Sequence, residues 1–304
     1  MADAGVDALI LGREANARYV SGARRLWLAN ARAFAPGCVL VAATGDVHLL
    51  TTSNDLVPSD VPFENLYAIT WNPANLMARL ALIPGLADAH RIGVDGLTPL
   101  LEGLLAGTFP HAEFVDGQSV MLAARRIKLP EEIDAIRRAV ALATSAFSSV
   151  VDAAVPGVRE RDLLAVFEQR MCELGTSTPA FEGTCNGSFA SDRVLVDGDR
   201  VVFDVGVLLD GYEGGVARTI VCGSGVPSAT PADAVFGPLL DAVRPGRAFP
   251  DLEAVHGVGL GYEPLDVDDP FAPGMTVSLR AESGGWVRRD TVLVTEAGAE
   301  LIGL

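Results

Sequence analysis

Apolar and polar positions along this chain alternate between two periods. The run from Val6 to Leu11 and the segments Cys38–Ala42 and Val47–Thr51 have the length and composition of strands, whereas Pro73–Leu82 and Pro99–Leu105 read as helices. Strands interleaved with helices predict a first α/β domain. The pattern changes around Ala124–Pro130. Pro130 fits the first position of a helix, and Glu131 and Glu132 place negative charge at its positive end. Ile133, Ile136, Val140, Ala143 and Phe147 then recur at helical spacing, which puts a domain boundary near residue 125. A second helix is expected over Glu160–Leu174, closed by Gly175. Beyond it the chain is rich in Gly, Val and Asp, with period-two segments at Val201–Val207 and Thr291–Thr295, so the second half reads as α+β. No internal repeat is visible.

With 304 residues, 49% of them hydrophobic, the chain can bury a sizeable core, and its length suggests two domains, 1–124 and 125–304. No apolar run approaches the ~18 residues that a membrane span requires, and no basic leader with an apolar block is present, so a cytoplasmic protein is expected. The four cysteines lie far apart without a Cys-x-x-Cys pair, which argues for buried thiols over a zinc site or disulfide framework. A formal charge of −16 and scattered arginines exclude nucleic acid as a natural partner.

Chemistry enters with the segment Gly198–Gly206, running on to Asp210-Gly211-Tyr212 and Arg218-Thr219. Three further blocks follow in order: His256-Gly257-Val258-Gly259-Leu260, Pro273-Gly274-Met275, and Asp290–Glu296. Near the start stands Asn16-x-x-Tyr19-x-x-Gly22, and between the halves Arg125-x-Ile127-Lys128-x-Pro130-x-Glu132. Taken together these blocks resemble the creatinase, prolidase and methionine aminopeptidase family. The resemblance covers nearly the whole chain. It implies an α+β protein with a C-terminal pita-bread domain behind a smaller creatinase-type α/β domain, and a homodimer. In dimeric relatives the region corresponding to Arg24, Arg25 and Trp27 approaches the partner's active site; a solvated surface with one partly buried aromatic is the favoured reading for these residues.

In active aminopeptidases of that family, two Asp, one His and two Glu hold a pair of divalent cations that activate water. By the resemblance, the first Asp corresponds to Asp204 and the histidine to His256, but the second Asp falls at Gly215 and the two glutamates at Arg280 and Arg289. Four carboxylates facing two cations thus become one carboxylate facing two guanidiniums. Two like charges ~4 Å apart repel by roughly 1–4 kcal/mol at effective dielectrics of 80–20. No metal cofactor is therefore expected. Glu213 and Glu282, each two residues from a lost ligand, are the candidates for rescuing a metal site, since a two-residue shift in a strand keeps the same face.

Creatinase shows metal-free C–N hydrolysis within the family, through a histidine on the loop before the first metal-site strand; here the loop Phe181–Asp199 has none. His256 remains as acid–base candidate, with Asp204, Tyr262 and Glu263 as its possible companions. Arg280 and Arg289 are candidates for binding a substrate carboxylate or for an internal ion-pair network, and Glu182 and Cys185 sit on the loop expected to roof the pocket. The leading expectation is a metal-independent enzyme acting on a small amino-acid-like, peptide-like or amide substrate. A non-catalytic binder of a peptide or metabolite and a residual metal-dependent Xaa-Pro peptidase are the alternatives.

Overall fold

A computed structural model of the chain describes every residue except 24–35, 52, 53, 55, 69, 71, 249–253, 266–269 and 304. Arg24, Arg25 and Trp27 lie outside the described residues. The chain forms two units, Met1–Arg125 and Arg126–Leu304.

The first unit is built on a six-stranded sheet in the order β4-β3-β2-β1-β5-β6, comprising β1 Ala8–Leu11, β2 Cys38–Val41, β3 Val47–Thr51, β4 Leu66–Ala68, β5 Arg91–Val94 and β6 Glu113–Asp116. β1 pairs antiparallel with β2 and parallel with β5. Its unbroken apolar run follows from burial on both faces: Ala8 and Ile10 join one core cluster, Leu9 and Leu11 another. Helices α1 Glu14–Ser21, α2 Pro73–Leu80, α3 Pro99–Thr108 and α4 Gly117–Arg126 complete the unit. The Asn16–Tyr19–Gly22 motif is helix α1 itself. Gly22 ends it at φ 67°, and buried Asn16 donates to Asp95 Oδ2 at 2.9 Å while accepting from Arg125 Nη1 at 2.7 Å. Asp95, also buried, takes the Gly12 and Arg13 amides at 2.8 and 3.0 Å. The motif is here part of a buried, hydrogen-bonded polar joint.

The second unit carries helices α5 Pro130–Ala153 and α6 Glu160–Glu173, then β7 Thr184–Cys185, β8 Ser188–Phe189, β9 Arg200–Leu209, β10 Tyr212–Val221, helix α7 Pro231–Ala242, β11 Val255–Gly259, β12 Gly261–Glu263, β13 Thr276–Ser283, β14 Trp286–Thr295 and β15 Gly298–Leu301. The sheet runs β12-β11-β13-β14-β10-β9-β7-β8, with β15 beside β14. Alternation sorts each strand. Val201, Phe203, Val205 and Val207 of β9 pack under α5 and α6, and Val277, Leu279 and Ala281 of β13 pack under α7. The intervening residues, Asp204 and Gly206 on β9, Ser278, Arg280 and Glu282 on β13, point to the face turned away from the helices. Backbone contact brings α5 close: a Cβ at Gly214 would lie 2.1 Å from the Ala139 carbonyl carbon, so only glycine fits there.

Two residues of the Arg125–Glu132 motif hold the second unit together. Lys128 Nζ meets Glu263 Oε2 at 2.5 Å with both side chains buried, and Glu132 accepts the Leu129 amide and the Tyr212 hydroxyl. Removing either member of the buried pair would strand the other charge, at a cost of about 3–5 kcal/mol.

One titratable side chain in the first unit stands apart. His48 on β3 is buried, and neither ring nitrogen has a hydrogen-bond partner among the described residues. Burial holds its pKa below the ordinary imidazole value, against the opposing pull of Asp46. The unfolded chain therefore takes up this proton first, so stability is fully present above pH ~6.5 and declines as pH falls below it, by no more than about 1.4 kcal/mol per pH unit for one proton. His48→Leu is expected to flatten that slope, read as the urea midpoint of the first unit between pH 7.5 and 5.

Candidate functional site

The site is laid out by register. Asp204 on β9 pairs with Ala217 on β10, Ala217 with Arg289 on β14, and Arg289 with Arg280 on β13, so the four lie on one rung across four strands. Neighbouring strands are ~4.8 Å apart, close enough for guanidiniums from two strands to converge on one carboxylate. Arg289 donates from Nη2 and Nε to Asp204 Oδ1 at 2.5 and 3.1 Å, and Arg280 Nη1 donates to Oδ2 at 2.8 Å. Arg289 is 4% exposed. Its Nη2 also donates to the Val205 carbonyl at 3.0 Å, and its guanidinium lies 5.0 Å from the centre of the Phe181 ring. Arg280 is half-buried, and its Nη2 reaches the exposed Glu282 at 3.4 Å.

Gly215 belongs to this interlock. A Cβ there would stand 2.4 Å from Arg289 Nη1, which means the guanidinium fills the space that a side chain at 215 would need. A side chain at 215 and the guanidinium of Arg289 therefore compete for one volume.

The next rung joins His256 on β11, Ser278 on β13 and Thr291 on β14. His256 Nε2 lies 3.9 Å from Oε1 of Glu213, and its ring is 5.1 Å from that of the exposed Tyr262. Ser278 and Thr291 are each 1% exposed, and neither hydroxyl has a hydrogen-bond partner among the described residues. A buried hydroxyl left in that state costs on the order of 1–3 kcal/mol.

Among the expected site residues, Asp204, Arg280, Arg289 and Glu282 come together, and His256, Glu213 and Tyr262 form a second group on the same face. Glu263 does not join either, because its carboxylate is the counter-ion of Lys128. Glu182 is exposed on its loop beside Phe181. Cys185 is buried and its thiol is pushed up to about 12 by burial, with Glu160 adding to the effect, so it is no nucleophile at neutral pH. Glu213 lies beside His256, and Glu282 beside the outer edge of Arg280. Among the described residues no three His, Cys, Asp or Glu side chains converge as metal ligands would. The residues present do not fit a two-cation centre, since guanidiniums stand where hard oxygen donors are needed.

On the helix side of β14, Asp290 accepts from Arg218 Nη2 at 2.5 Å and Arg288 Nε at 2.7 Å, while Arg288 also reaches Asp233 on α7 at 2.8 Å and covers the Phe236 ring. These pairs fix α7 to the sheet and stand apart from the site.

Comparison with known proteins agrees with this architecture. Residues 1–127 match the creatinase/prolidase N-terminal domain, and residues 134–256 match metallopeptidase family M24. The Xaa-Pro dipeptidase of Pyrococcus furiosus is 28% identical over 232 residues, covering 62% of this chain and 66% of the relative. That of Pyrococcus horikoshii is 27% identical over 345 residues, covering 97% and 92%. The crystal structure of the prolidase from Pyrococcus horikoshii OT3 superposes with a TM-score of 0.80 at 21% identity, covering all of this chain and 95% of the other. The chain belongs to the creatinase/prolidase pita-bread family.

The interlock predicts non-additivity. Gly215→Ala is expected to lower stability by about 1–3 kcal/mol through overpacking against Arg289. In an Arg289→Met background the same substitution should cost at least ~1 kcal/mol less, measured by urea unfolding of the full cycle. Strict additivity would show that the two positions do not compete for one volume.

Proposed function

We propose that this chain is a metal-independent enzyme of its family, acting on a small amino-acid-like or amide substrate that carries a carboxylate. The carrying observation is the Asp204–Arg289–Gly215 interlock. A guanidinium fills the ground beside the surviving aspartate and neutralises it, which removes both the space and the charge that divalent cations use. A metal-dependent peptidase is thereby disfavoured. The relatives named Xaa-Pro dipeptidase support a peptide-like or amide substrate.

Each residue has a separate task under this reading. Asp204 orients both arginines. Arg289, buried and bonded to Asp204 and the Val205 carbonyl, is a support, while the half-buried Arg280 presents the guanidinium edge that receives the substrate carboxylate in a charge-assisted contact. His256 is the group suited to moving a proton near neutral pH, with Glu213 behind it and Tyr262 beside its ring. Glu182, on the loop next to Phe181, borders the entrance. No helix among the described residues is long and apolar enough to cross a membrane, and a cytoplasmic homodimer completes the proposal.

Metal analysis and kinetics test this directly. The purified chain is expected to hold no stoichiometric Mn, Co or Zn, and its turnover of amide or Xaa-Pro substrates to be unaffected by chelator or added Mn²⁺. Stoichiometric metal together with metal-dependent turnover would overturn the reading. Arg280→Gln should lower kcat/KM for a carboxylate-bearing substrate on the order of tenfold to a hundredfold and leave its amidated analogue little changed. Ligand binding without turnover of any amide tried would assign the pocket to a non-catalytic binder instead.

A further inference from the structure

Glu213 differs from the other buried carboxylates. Asp95 accepts from two backbone amides and Asn16, Glu160 from Ser191, Asn186 and Arg193, Glu132 from the Leu129 amide and Tyr212, and Glu263 from Lys128. Glu213, 3% exposed, has among the described residues only His256, at 3.9 Å, beyond hydrogen-bond range. Its strand β10 and the histidine's strand β11 are separated in the sheet by β13 and β14. Curvature of the sheet nonetheless brings β10 and β11 into contact, so the two side chains meet directly. On the rung of His256, on the same face, sit Ser278 and Thr291, whose hydroxyls have no hydrogen-bond partner among the described residues.

Around His256 thus gather a carboxylate without a bonded cation and two hydroxyls without protein partners, among the described residues. An ammonium group brings three N–H donors and one positive charge, which matches that set in number and sign. We propose that Glu213, Ser278 and Thr291 form an amine subsite that takes the protonated amino group of the ligand. Arg280 lies two residues along β13 from Ser278, ~6.6 Å on the same face. A ligand that engages both must carry an amine and a carboxylate several bonds apart, as a short ω-amino acid does and a simple α-amino acid without further functional groups does not. The carboxylate end of this assignment rests on the proposed role of Arg280; the amine end stands on its own geometry.

Calorimetric titration of the full chain with 5-aminopentanoate, pentanoate, 1-aminopentane and glycine tests both ends. 5-Aminopentanoate is expected to bind at least about tenfold more tightly than pentanoate, consistent with a charge-assisted hydrogen bond. Glu213→Gln, and separately the paired Ser278→Ala/Thr291→Val, should abolish that advantage without weakening pentanoate. The paired variant removes two unsatisfied hydroxyls, so its melting temperature should be no lower than that of the unmodified chain, which separates lost recognition from lost folding. Equal affinity for 5-aminopentanoate and pentanoate, no binding of either amine, or discrimination that survives Glu213→Gln would each overturn the subsite. Glu213-dependent binding of 1-aminopentane with no gain from a carboxylate would keep the subsite and reject Arg280 as the carboxylate receiver. Arg280-dependent binding of pentanoate with no gain from the amine would do the reverse.

Discussion

Asp204 divides its two oxygens between guanidiniums from neighbouring strands, and much of the open face of the larger sheet is conditioned by that division. Arg289 approaches from β14 and must cross β10 to reach the carboxylate, so β10 carries Ala217 on the shared rung and Gly215 beside it. Phe181 covers the guanidinium where it would otherwise meet solvent. Gly214, turned to the other side of the same strand, admits the backbone of α5. Two adjacent glycines therefore answer to two unrelated demands, one from a helix and one from an arginine.

The charge arithmetic separates this site from the other buried ion pair. Lys128 and Glu263 neutralise one another and are closed to solvent, so their role is to hold the segment before α5 against the edge of the sheet. Asp204 faces two cations, which leaves one positive charge that, among the described residues, the exposed Glu282 offsets weakly. Beside His256 the balance has the opposite sign, with Glu213 lacking a bonded cation among the described residues. A face with its positive excess and its negative excess several ångströms apart has an inherent direction, and a ligand bound there is oriented as well as held.

Periodicity made the long elements legible. α5 and α6, β9 and the end of β14 follow directly from apolar spacing, because each buries one face against a single layer. Helix α1 was hidden inside the Asn16–Gly22 motif, whose polar residues serve a buried network that only tertiary structure creates. Helix α4 runs on to Arg126, through the stretch where the pattern changes, and so read as a boundary. At the site, the expectation that Gly215, Arg280 and Arg289 stand at ligand positions came from counting along the chain against the family pattern. Their physical connection was not, since the contact between position 215 and the Arg289 side chain joins residues far apart in sequence. Glu263 looked like a companion to His256 because it is close in sequence, but consecutive strand residues point to opposite faces and Lys128 waited on the other one. Ser278 and Thr291 gave no signal at all, as hydroxyl residues in strands are ordinary.

Because Gly215 and Arg289 share one volume, the centre has no easy neighbours in sequence space. A carboxylate introduced at 215 alone collides with the arginine, whereas an acidic residue placed at 289 alone sets two negative charges against each other with nothing but Arg280 between them. Each route back toward a ligand set passes through a poorer structure before reaching a better one. The present arrangement is a local optimum walled by sterics on one side and by like charge on the other, a chemistry that point substitutions taken singly do not readily leave.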